Sequence, residues 1–224
     1  MEKNLHEIWK KRIGRTIDAL RAHRMDAYYA PTKEEALSTV QMLLPKGGTV
    51  SHGGSVTLQQ IGAIDLLKNG DYNYLDRARP GMTPEEMQAL YRDTFFADAY
   101  LTSTNAITEN GELYNVDGNS NRVAALLFGP KSVIVVAGYH KIVPDIHAAA
   151  QRVKRIAAPA NATRLNCGTY CQKEGQCVSL ANGKTDICSG CGSDSRICCN
   201  YVISSTQREK GRIKVILVGE VLGY

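Results

Sequence analysis

Apolar residues recur along this chain at two alternating periods. Leu5, Ile8, Trp9, Ile13, Ile17 and Leu20 step by three and four, which puts them on one face of a long N-terminal helix. Residues 26–30 read as a short strand stopped by Pro31. Thr32 opens a second helix, with Glu35 three positions on completing a capping box, and Leu44-Pro45 ends it. A strand is predicted at 49–51, a turn at Gly53-Gly54-Ser55, and a helix over 56–67 closed by Asn69-Gly70. Residues 72–75 are strand-like. Thr83-Pro84-Glu85-Glu86 then supplies cap, N1 proline and reciprocal glutamate for a helix running to Phe96. Further strands are predicted at 99–101, 112–115, 132–137 and 212–220, with helices over 122–128 and 145–156.

Strands and helices therefore alternate. That pattern implies parallel strands joined by right-handed helical crossovers. The expected fold is one three-layer α/β domain over 1–224, with a mostly parallel sheet and helices on both faces. One stretch breaks the pattern. All seven cysteines fall between Cys167 and Cys199, spaced C-x3-C-x5-C-x10-C-x2-C-x6-C-C, among five glycines and few apolar side chains. Such a segment cannot order itself by burial, so a crosslink or a metal must stabilise it. It reads as a Cys-rich insertion over 166–200, before the last strand.

The identity of that crosslink depends on compartment. An odd cysteine count argues against a closed disulfide framework. The opening Met1-Glu2-Lys3-Asn4-Leu5-His6 is charged and lacks the apolar core of an export signal, so the expectation is a cytoplasmic protein with reduced thiols. Clustered thiols then point to zinc or to an iron–sulfur cluster. Only Cys188 and Cys191 form a C-x2-C pair, whereas zinc modules tend to show two; the irregular spacing suits [4Fe–4S] slightly better, and both remain open.

Bulk composition changes the picture little. Hydrophobic residues make up 43% and charged residues 22%, as in ordinary globular proteins. No apolar run approaches the roughly 20 residues of a membrane span. The net charge of +5 is spread out, and aromatics are only 7%, so nucleic-acid binding is not expected. A small anionic metabolite fits the balance.

Ligands of open α/β sheets bind where strand ends feed helix starts. Three loops have that placement. In the first, Gly53, Gly54, Ser55 and Thr57 offer close backbone approach, a helix cap and a hydroxyl to an anion. The second, Thr104 to Leu113, carries Asn105 and Glu109; beside Asn110-Gly111 the glutamate is a hairpin-turn residue or a carboxylate acting as base or nucleophile. The third holds Asn121 and Arg122. An arginine in a first helical turn opposes the helix dipole, so Arg122 is expected to have a polar or anionic partner. His52 and His140 sit at strand ends, as structural histidines or acid–base groups. No P-loop, HExxH, GxGxxG or Ser-His-Asp order is present.

Taken together, Ser51-His52-Gly53-Gly54-Ser55-Val56-Thr57, Thr104 to Gly111, Asn121-Arg122-Val123-Ala124, Phe128-Gly129-Pro130-Lys131, Val135 to Gly138 with Lys141, and Ala158-Pro159-Ala160-Asn161 resemble the lactate-utilisation (LUD) domain family. The resemblance implies a NagB/RpiA/CoA-transferase-like fold and a role near iron–sulfur systems that oxidise small hydroxy acids. It also implies that Cys171, Cys177, Cys191 and Cys198 are ligands. This chain carries an added stretch between Cys177 and Cys191, and Cys188 within it is a further candidate. Arg122 or Lys141 would neutralise the bound anion, and a partner subunit would supply hydride chemistry; a homodimer is also possible. Thr108-Glu109-Asn110-Gly111 resembles the Ser-Glu-Asn-Gly motif of CoA transferases, which makes Glu109 the candidate nucleophile of an alternative transferase or hydrolase reading. A third reading is a ligand-binding protein with a structural zinc.

Overall fold

A computed structural model describes residues 3–224; Met1 and Glu2, part of the charged N-terminus read above, lie outside the described residues. The chain begins with α1 (Lys3–Ala22), β1 (Asp26–Ala30), α2 (Lys33–Leu43) and β2 (Thr49–His52). Next come α3 (Val56–Gln60), α4 (Ala63–Asn69), β3 (Asn73–Tyr74), α5 (Pro84–Asp93) and β4 (Ala99–Thr102). The short strands β5 (Ala106–Thr108) and β6 (Leu113–Asp117) precede α6 (Asn121–Leu127) and the long β7 (Ser132–Gly138). After β8 (Ile142–Val143) follow α7 (Ile146–Arg152) and α8 (Ala158–Leu165), separated by one π-helical turn, Val153–Ala157. The cysteine segment contains α9 (Tyr170–Glu174) and α10 (Val178–Ala181), and the chain closes with β9 (Asn200–Ser204) and β10 (Ile213–Val218).

Six strands form the expected sheet in the order β1-β10-β7-β4-β2-β3, every pairing parallel. Alternation along β7 divides the core. Val133, Val135 and Ala137 face α1, meeting Ile13, Ile17 and Leu20. Ile134 and Val136 face the other way, onto Val40 of α2 and Leu58 and Leu67 of α3 and α4. Burial on both faces explains why β7 and β10 read as continuous apolar runs. The start of α1 overshoots this core: Leu5 and Ile8 are exposed, although they lie on the same helical stripe.

A second sheet, β8-β5-β6-β9, packs its own cluster of Tyr114, Val116, Ala149 and Val153. The sequence pattern hid it because β5 and β8 have three and two residues, too few to show a period. Three expectations change. The helix predicted over 56–67 breaks at Gly62, whose φ of 77° is left-handed. The helix predicted to stop at 156 continues to Leu165; Pro159 falls where α-helical bonding restarts after the π turn, so its missing N–H costs little. The cysteine segment precedes two strands rather than one, because β9 inserts beside β6 before β10 completes the main sheet. Both helix starts read from sequence form, but only the second as a full capping box: Thr32 accepts from the Glu35 N–H without the reciprocal bond from Glu35, whereas Thr83 and Glu86 make both.

The Asn110-Gly111 turn is pinned against α1. Gly111 has φ of 91°, and a Cβ there would lie 2.7 Å from the Ala19 carbonyl carbon. Gly111→Ala is therefore expected to cost about 1–3 kcal/mol from backbone strain, with the clash in addition, measurable by urea unfolding.

Candidate functional site

The carboxyl ends of β2, β4, β7 and β10 open into a cavity of about 320 Å³, walled on its far side by β6, α8 and the cysteine segment. From the predicted loops, Gly54, Ser55, Thr57, Asn105, Asn121, Arg122 and Lys141 all line it. Ser55 caps α3, accepting from the Leu58 N–H at 3.2 Å, which turns that helix start toward the space. Gly53 sits behind the wall. A side chain there would strike Tyr100 Oη at 2.9 Å and the Arg122 stem at 3.1 Å, so its role is close packing.

Lys141 is 2% exposed at the end of β7. Its Nζ donates to Thr57 Oγ1 at 3.2 Å and to Ser103 Oγ at 3.1 Å. Burial foremost, then the positive charges of Arg152 and Arg122, push its amine down to about 7. Arg152 is buried as well, with Nη1 donating to the Asn105 carbonyl at 2.7 Å. Among the described residues the buried Lys, Arg, Asp and Glu side chains are Lys141, Arg152 and Lys154, all cations. With Arg77, Arg164 and Arg196 also on its walls, the cavity is strongly basic. An anion is the natural complement.

Arg122 has the partner its helix position called for. Its Nε pairs with Asp117 Oδ2 at 3.0 Å. Nη1 donates to Asn115 Oδ1 at 2.6 Å and to the Ser103 carbonyl at 3.2 Å. Nη2 donates to Asn105 Oδ1 at 3.2 Å and to the Val116 carbonyl at 3.0 Å. All five N–H groups of a guanidinium are thus committed to protein. Arg122 frames the cavity with its donors already used, and Asn105 is likewise tied into this network through its side-chain oxygen.

Glu109 lies elsewhere. It is not among the cavity's lining residues, and its carboxylate pairs with Arg12 at 2.7 Å and Arg15 at 3.4 Å on α1. Of the two readings of Glu109, this placement matches the hairpin-turn residue, since the Asn110-Gly111 turn lies against α1. His52 stacks on Tyr74, and burial lowers its affinity for protons. Burial, with Arg152 and Lys141 beside it, pushes His140 down to about 4. Neither lines the cavity.

All seven cysteines are free thiols. Cys171, Cys177, Cys191 and Cys198 line one small second pocket together with Tyr114, Lys154 and Arg196. Cys188 is exposed and is not among its lining residues. Arg196 ties the loop: its guanidinium donates to the carbonyls of Cys188, Cys191 and Cys198 at 3.0, 3.1 and 2.8 Å. Hydroxyls approach two sulfurs, Thr169 to Cys171 and Ser179 to Cys177, each at 3.3 Å. Burial raises the Cys198 thiol to about 12, the other three thiols adding to this and Arg196 opposing it. Among the described residues no three His, Cys, Asp or Glu side chains gather tightly enough to hold a single metal ion.

The two spaces share a wall. Arg196, Ile197 and Cys198 line both, as do Val153 of the π turn and Ala158 of α8. Sequence reasoning missed Ser103, Arg77, Arg152, Arg164 and the C-terminal Gly223-Tyr224, which all border or support the cavity. Only Ser103 had a signal, as the residue that follows a strand.

The fold and site define an α/β protein with a basic cavity at its strand ends beside a four-thiol pocket. A model of the LUD domain matches residues 13–218, so the chain belongs to the LUD domain family, which relates it to lactate-utilisation proteins. The chain is also similar to a solved DUF162 family protein from Deinococcus radiodurans. That match has a TM-score of 0.52 and 14% identity, covering 94% of this chain and 98% of that one. A comparison with curated proteins returns no match. Among the described residues no helix is long and apolar enough to cross a membrane.

Proposed function

We propose that this protein binds a small organic acid, of hydroxy- or oxo-carboxylate type, in the basic cavity, beside an iron–sulfur centre held by Cys171, Cys177, Cys191 and Cys198. The observation that supports this most is the shared wall: a thiol-lined pocket and a basic cavity with ample room for a small carboxylate meet across Cys198 and its two preceding residues. The donor set suits a cluster. Four sulfurs line one pocket, matching the number of thiolate ligands such a cluster takes, and Lys154 and Arg196 on the same lining would offset their negative charge. When bound, such a centre supplies one-electron transfer.

The chain's own residues do the rest. Arg77, Arg164 and Arg196 draw the carboxylate in, Arg122 and Asp117 hold the wall, and Ser55 with Thr57 offers hydroxyls. Hydride chemistry is left to a redox partner subunit, since no flavin or nicotinamide fingerprint is present. Acyl transfer through Glu109 gains no support from a carboxylate ion-paired away from the cavity.

Anaerobic purification followed by iron, acid-labile sulfide and zinc analysis tests the reading. About four irons and four sulfides per chain are expected. Cys191→Ala is expected to lose most of the iron, while Cys188→Ala keeps it. One zinc and no sulfide would overturn the redox role and leave a structural clip.

A further inference from the structure

Charge alone does not account for Lys141. The cavity has Arg77, Arg164 and Arg196 for a carboxylate, and Lys141 lies deeper, between hydroxyls. Those hydroxyls have their own acceptors. Thr57 Oγ1 donates to the Leu222 carbonyl at 3.2 Å; Ser103 Oγ donates to the Thr104 carbonyl at 3.4 Å or to Thr57 Oγ1 at 3.5 Å. Both therefore accept from Lys141. A neutral amine has two hydrogens and one lone pair. With both hydrogens taken, the lone pair is what this nitrogen has left to offer the cavity it lines. Protonation would instead place another positive charge beside Arg152 and Arg122, and no carboxylate among the described residues pairs with this nitrogen. The amine accordingly titrates near neutrality, at about 7, for the reasons of burial and like charge given above. The C-terminal segment closes over it: a Cβ on Gly223 would lie 2.5 Å from Thr57 Oγ1 and 3.4 Å from Lys141 Nζ, so only a glycine lets the chain pass.

We propose that Lys141 is a nucleophile that captures the carbonyl carbon of a 2-oxo acid as a Schiff base. This builds on the cavity as a carboxylate site and is independent of any metal. The lone pair of Nζ attacks the carbonyl carbon, a C–N bond forms, and the carbonyl π electrons move to oxygen, which takes a proton. The nitrogen sheds its protons through the Thr57 and Ser103 hydroxyls, and the carbinolamine loses its oxygen as water. Amine plus ketone gives imine plus one water, with no oxidant or reductant consumed. A carbonyl next to a carboxylate suits the lining, which brings arginines and the buried amine onto one cavity.

The test is reductive trapping. The full chain, purified anaerobically, is incubated with pyruvate and cyanoborohydride, then digested and mapped by mass spectrometry. Labelling of Lys141 is expected to exceed that of the exposed Lys131 by roughly tenfold or more, since far more of the buried amine is neutral at the same pH. Lys141→Arg keeps a long basic side chain without a nucleophilic amine and should abolish the adduct; the wild-type map stands even if that variant folds poorly. Equal labelling across surface lysines, or no adduct at Lys141, overturns the proposal. Equilibrium dialysis with pyruvate separates the two failures: binding without an adduct removes only the covalent step, whereas no binding removes the carboxylate site too. Iron and sulfide content bears on neither result.

Discussion

Arg122→Met is expected to lower the unfolding free energy by about 3 kcal/mol, the lower end of the cost of removing one member of a buried ion pair, because this pair is largely but not fully buried. The side chains of Arg122 and Asp117 are only 13% and 10% exposed, so solvent screens their interaction little. Removing the guanidinium leaves the Asp117 carboxylate without its countercharge. It also strips donors from Asn115 Oδ1 and the Val116 carbonyl on β6, and from Asn105 Oδ1 and the Ser103 carbonyl in the connection between β4 and β5. Arg122→Lys should rescue little, because a point charge cannot span five acceptors in one plane. Asp117→Asn placed on Arg122→Met is expected to recover part of the loss, since the stranded charge is then gone. Urea unfolding of the four proteins measures all of this. A loss below about 1 kcal/mol for Arg122→Met would mean that the network is a surface ornament. Ligand binding should fall with stability, because the same residues form the cavity wall.

Wild-type protein is expected to gain stability as the pH rises from about 7 toward 9.5, at about 1.4 kcal/mol per pH unit from Lys141. The unfolded amine keeps its proton to about 10.5, while the folded one releases it at about 7. Between those values the unfolded chain binds more protons, so raising the pH favours the fold. Below 7 both states are charged and the fold carries the whole burial penalty. Arg152, pushed down to about 10 by burial, adds a similar rise only above that pH, and His140, at about 4, contributes between pH 4 and 6.5. The 7–9.5 window thus isolates Lys141 among the groups around it. Lys141→Met should flatten the curve there. Identical slopes in the two proteins would show that the amine stays charged and hydrated in the folded state.

The main sheet was readable because its central strands are buried on both sides and its helices have one apolar stripe each. Local pattern carries that information over seven to twenty residues, as in β7 and α1. Pairs such as Ile142-Val143 carry none, which is why the second sheet emerged only from its hydrogen-bonded register with Thr108 and Ile107. Chemistry followed the same division. The dipole argument called for a partner to Arg122, but that partner, Asp117, and the four further acceptors come together only when β4, β6 and α6 meet. The motif around Glu109 invited a nucleophile, yet the side of the sheet it faces depends on where α1 packs.

Composition and periodicity were enough to determine an α/β chain with one thiol-rich segment poor in apolar side chains, because those properties are sums over neighbours in the sequence. The juxtaposition of that segment with the basic cavity, and the burial of Lys141 among Thr57, Ser103 and Gly223, arose from contacts between residues tens of positions apart. Desolvation depends on what surrounds a group in three dimensions, and no local pattern encodes it.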